Sequence, residues 1–85
     1  MSFYLVEYRR EPALTEQEEA AKKAHLGKCL AVYEVRLVTS YSAADGQRAV
    51  SVYEADTQEA VVTAHRSSDV PFAAIWRTKA DPIAT

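Results

Sequence analysis

Eighty-five residues suffice for one domain and are too few for two. Apolar residues make up 48% and charged residues 26%, which fits a globular protein whose thin core leaves apolar surface for a partner to cover. The net charge is −2, with ten Lys and Arg scattered among twelve Asp and Glu, so no clustered basic surface marks a nucleic-acid partner.

The first ten residues, Met1-Ser-Phe-Tyr-Leu-Val-Glu-Tyr-Arg-Arg10, hold no basic stretch ahead of an apolar core, and Glu7 interrupts their short apolar run. They read as neither a signal peptide nor a membrane span, and a cytoplasmic location is the expectation. Phe3 to Tyr8, aromatic and β-branched, reads as the first strand. Pro12 lies in the connection that follows. Thr15-Glu-Gln-Glu18 matches a capping box: the Thr hydroxyl can accept from the Glu18 amide, and the Glu18 carboxylate can reach back to the Thr15 amide. A helix from about Glu16 to Ala31 is predicted. Ala20, Ala24, Gly27 and Ala31 form a small-residue stripe at helical spacing, expected to lie close on a sheet.

Val35 to Tyr41 reads as the second strand and Arg48 to Glu54 as the third, joined through Asp45-Gly46, where glycine tolerates a positive φ. The second helix is predicted from Thr57 to Arg66, with Asp56 as its cap and Glu59 near its positive end. Ser67-Ser68-Asp69 and Pro71 end it, and Phe72 to Thr78 reads as the fourth strand. Lys79 to Thr85, with Pro82, reads as a tail outside the sheet. The order βαββαβ with right-handed crossovers predicts a ferredoxin-like α+β fold: one domain over residues 1–85, a four-stranded antiparallel sheet and both helices on one face. The other face is expected to be apolar as well. In strand one Phe3 and Leu5 alternate with Tyr4, Val6 and Tyr8, and in strand four Phe72, Ala74 and Trp76 alternate with Ala73 and Ile75. A homodimer packing sheet on sheet, a dimeric α/β barrel, is the expectation, with an amphipathic monomer as the alternative.

The run Val38-Thr-Ser-Tyr41, Asp45-Gly46, Val50-Ser-Val-Tyr-Glu-Ala55, Glu59-Ala-Val-Val-Thr-Ala-His-Arg66, Val70-Pro71 and Ala80-Asp-Pro82 resembles, in ordered spacing over residues 35 to 82, a small bacterial nickel-binding-protein-like family. The resemblance implies a ferredoxin-like fold, face-to-face dimers and, in some members, nickel binding. The family pattern carries a histidine where this chain has Thr39, a cysteine where it has Ser51, and a histidine where it has Ala64, with His65 one place later. One helical residue turns a side chain by about 100°. Imidazole is a ligand suited to nickel, and threonine and alanine cannot replace it.

His25 and Cys29 stand four apart on the first helix, so an imidazole and a thiolate share one face and could hold a transition metal, with His65 or a second subunit adding a third ligand. The plainer reading makes Cys29 a small buried residue and His25 a surface one. Cys29 is the single cysteine, so no intrachain disulfide forms and a stapled secreted mini-protein is excluded. Tyr41, Tyr53 and Trp76 are candidates to line a pocket at the sheet–helix or dimer seam. Arg36, Arg48 or Arg77 could anchor a carboxylate there. Small isomerases and cofactor-free monooxygenases of this architecture use such pockets, an analogy at the level of fold alone. The alternative is packing as core and interface. No glycine-rich phosphate loop, G-x-S-x-G elbow or zinc-type cysteine pair is present. The reading is a small soluble dimer, binding a transition metal such as nickel or else serving as an enzyme or binding domain for a small aromatic or carboxylate ligand.

Overall fold

The computed structural model describes residues 1–10 and 12–79; the tail from residue 80, with the Ala80-Asp81-Pro82 part of the family pattern, lies outside the described residues. Six elements follow in order: β1 (Ser2–Arg9), α1 (Glu16–Val32), β2 (Arg36–Ser42), β3 (Arg48–Ala55), α2 (Gln58–Ser67) and β4 (Ala74–Thr78). The strands form one sheet in the order β2-β3-β1-β4, every neighbouring pair antiparallel. This is the ferredoxin-like arrangement expected from the sequence.

Alternation along β1 and β3 sets which residues meet the helices. Tyr4, Val6 and Tyr8 are buried on β1, as are Ala49, Ser51, Tyr53 and Ala55 on β3, while the residues between them are only half-buried. The register pairs Tyr4 with Tyr53, Val6 with Ser51 and Tyr8 with Ala49, so these side chains stand on one face. Val61 and Ala64 of α2, Leu30 of α1, and Val35 and Val70 from the connections complete the core.

Local signals explain the element ends. The Thr15–Glu18 capping box forms in both directions, each contact 3.1 Å. At the start of α2 the cap is Thr57, whose hydroxyl accepts from the Ala60 amide at 3.2 Å, one residue later than the expected Asp56. The β2–β3 connection closes with Gly46 at φ 74°, where a Cβ is disfavoured. β4 begins at Ala74, not Phe72. Phe72 turns instead onto the core, edge-on to the His65 ring at 5.4 Å.

Apart from Gly27, which borders the gap beneath the helix, the small-residue stripe of α1 does not face the sheet. Ala20, Ala24, Gly27 and Ala31 are exposed, and the inward stripe is Glu19, Lys22, Leu26, Cys29 and Leu30. Two leucines bury more apolar area than alanines do, and Glu19 and Lys22 reach inward on their methylene stems. α1 leans on α2 and makes few close approaches to the sheet, which leaves a gap beneath it.

Candidate functional site

That gap is a cavity of about 340 Å³ between α1 and the sheet. Leu26, Gly27 and Leu30 of α1 roof it, and Tyr8, Ala49, Ser51 and Tyr53 floor it. Leu37, Ser40 and Ser42 of β2 close one side. Its cations come from Arg10, just past β1, and from Lys22 and Lys23 of α1. Glu19 stands between them, 3.5 Å from Arg10 and 3.4 Å from Lys23. The Arg10 guanidinium sits 5.5 Å from the Tyr8 ring centroid, a cation–π contact that holds it over the cavity. The size suits one small ligand, and an apolar lining with few polar groups is the usual make-up of such a site.

Beneath the floor runs a buried polar chain. The Tyr8 hydroxyl lies 2.6 Å from the Tyr53 hydroxyl and 2.6 Å from Nε2 of His65. His65 Nδ1 lies 2.8 Å from the carbonyl of Val61, one turn back on α2. A carbonyl can only accept, so Nδ1 carries a proton. Burial holds the imidazole below its ordinary pKa and therefore neutral, so Nε2 accepts from Tyr8. Tyr8 has then spent its single proton and must accept from Tyr53. The donors run Tyr53 to Tyr8 to His65 to Val61. Burial raises both phenols above their ordinary value, with the Tyr53 contact adding to the rise at Tyr8. The Tyr8 and His65 rings stack at 5.7 Å, and Tyr53 meets His65 edge-on at 5.4 Å. Ser51 beside the tyrosines bonds Ser40 across the strands at 2.9 Å.

The residues singled out by sequence are not brought together. Of Tyr41, Tyr53 and Trp76, only Tyr53 reaches the cavity. Tyr41 and Trp76, 68% and 46% exposed, stand on the opposite face of the sheet because their partners Val50 and Leu5 point that way. Arg36 pairs with Glu54 at 2.8 Å, and neither it, Arg48 nor Arg77 lines this cavity; Arg10 does. Two-residue alternation from Tyr8 to Arg10 was the signal for it.

His25 is exposed and Cys29 half-buried on α1, whereas His65 is fully buried with both ring nitrogens bonded. Among the described residues no three His, Cys, Asp or Glu side chains gather as a metal group. Thr39, opposite Val52, faces the helix-free side of the sheet, and Ser51 and Ala64 lie on the helix side. The three positions at which the family pattern carries metal-binding residue types therefore fall on two faces of the sheet and do not fit one centre within a single chain.

Comparison with known proteins places this geometry. No curated protein sequence matches the chain. The crystal structure of SCO4226 from Streptomyces coelicolor A3(2) superposes with a TM-score of 0.80 at 11% identity, covering 95% of this chain and 100% of that one, a likeness of fold. A family model described as nickel responsive protein SCO4226-like matches residues 4–77. Spanning every strand and both helices, that match shows that the chain belongs to the SCO4226-like family of nickel responsive proteins.

Proposed function

We propose that this chain is a small-molecule-binding domain whose site is the cavity beneath α1. The observation that carries the reading is an apolar cavity of about 340 Å³ set over two buried, hydrogen-bonded phenols. The cavity forms inside one chain. The tyrosines of its floor and the histidine behind them are neutral and mutually bonded, which suits the floor to hold and orient a ligand; this favours binding over isomerase- or monooxygenase-like chemistry. A neutral apolar fluorophore such as N-phenyl-1-naphthylamine should brighten on binding, and Ser40→Phe, which fills the cavity, should abolish the signal while Trp76→Ala leaves it. No brightening with the wild-type protein overturns the reading.

The helix-free face supports self-association. Phe3, Leu5, Val50 and Val52 are half-buried there beside the exposed Trp76 and Tyr41, an apolar surface suited to a second copy. Light scattering should give twice the chain mass, falling to one chain in Val52→Lys. A single-chain mass for the wild type at high micromolar concentration rules the dimer out.

The family description favours a second reading, nickel binding shared between chains. One subunit contributes His25 and Cys29 to it at most, since the nitrogens of His65 are engaged. Native mass spectrometry of protein purified without chelator should then find nickel on dimers and lose it in His25→Ala. Metal on single chains, or none, refutes sharing.

A further inference from the structure

We propose that the cavity selects an apolar acid that also carries a hydroxyl, with its carboxylate at the Arg10 rim and its hydroxyl donating to the phenol oxygen of Tyr53. The inference rests on the binding reading above and names the ligand class of that site.

Two independent features carry it. The first is charge. Arg10, Lys22 and Lys23 face the cavity against the single carboxylate of Glu19, so the lining is net cationic although the chain as a whole is net anionic. Arg10 is half-buried and held over Tyr8, where a guanidinium keeps its charge and presents paired donors suited to a carboxylate.

The second is the direction of the buried chain. Tyr53 donates to Tyr8 and has no proton left for a ligand, so its oxygen presents lone pairs. Tyr53 is 2% exposed and the cations are more open, which puts the hydroxyl-accepting end at the floor and the charged end at the rim. Reversing the chain would require a charged His65. The groups that meet its ring are Tyr8 from β1, Tyr53 from β3 and Phe72 from the connection after α2. Arg66 adjoins it on its own helix and Asp69 follows, both exposed. None of those bonded to its ring is an anion, so the inward direction holds.

Calorimetric titration with 4-hydroxyphenylacetate, phenylacetate and 4-hydroxyphenylacetamide tests both features on the wild-type protein. The hydroxy acid should bind roughly tenfold tighter than either analogue, since each lacks one partner for a placed polar group. Tyr53→Phe should erase the preference for the hydroxyl and keep that for the acid. Arg10→Gln, at the rim, should do the reverse. Equal affinity for acid and amide, or for hydroxylated and plain acid, overturns the inference while binding of the neutral fluorophore leaves the cavity reading standing. Failure of fluorophore and acids alike removes both.

Discussion

The two faces of this sheet use similar residue types for different ends. On the covered face Tyr4, Tyr8 and Tyr53 are almost fully buried, and the hydroxyls of Tyr8 and Tyr53 are bonded into a chain ending on α2. On the open face Tyr41 and Trp76 are exposed. An aromatic ring contributes its large area to either surface, but only on the covered face is a phenol removed from water, where it must find a partner. The covered face therefore needs a specific network, and the open face needs only apolar area. Aromatic content alone does not distinguish the two faces; the bonding of the hydroxyls does.

The contrast breaks most readily at His65. His65→Ala should cost about 3 kcal/mol in urea unfolding, because it opens a hole and strips the Tyr8 hydroxyl of its acceptor. Trp76→Ala, at protein concentrations low enough to keep chains apart, should cost under about 1 kcal/mol. Equal costs would mean that the faces do not differ in this way.

Acid sharpens the comparison at a lower amplitude. Burial lowers the folded-state pKa of His65 from its usual 6.5, so the unfolded chain takes up the proton first. Its contribution is complete above 6.5 and is lost as pH falls from there toward the folded-state value. The urea midpoint should decline below that pH, and His65→Gln should flatten the decline. A wild-type midpoint unchanged between neutrality and mild acid contradicts the buried neutral imidazole.

The smallest effect lies in the roof of the cavity. A Cβ at Gly27 meets nothing within 4 Å, so Gly27→Ala should raise stability by up to about 1 kcal/mol through helix propensity alone. A loss of stability would contradict the open space around Gly27.

Much of the framework was legible in the chain. The capping box at Thr15, the glycine turn at Gly46 and the alternation of Tyr4, Val6 and Tyr8 marked their elements, and the helices begin within a residue or two of where they were expected. The azimuth of α1 was not legible. Its alanine stripe and its leucine stripe are both helical in period, and only packing on α2 and the sheet chose between them. His65 offered a similar ambiguity: an imidazole on an inward helical stripe with Val61, Ala64 and Ser68 fits a metal ligand or a buried hydrogen-bond acceptor equally well.

The order βαββαβ, the hairpin turn and the two-sided apolar sheet follow from local signals in the chain, because periodicity, caps and turns act over a few residues. The tertiary structure decided what those elements enclose. Tyr8 meets Tyr53 across 45 residues and His65 across 57, contacts that exist only once strand register and helix rotation are set together. A one-residue slip in strand register would turn a phenol to the other face, and a one-residue turn of α2 would swing His65 away from Tyr8; either breaks the direction of hydrogen bonding beneath the cavity.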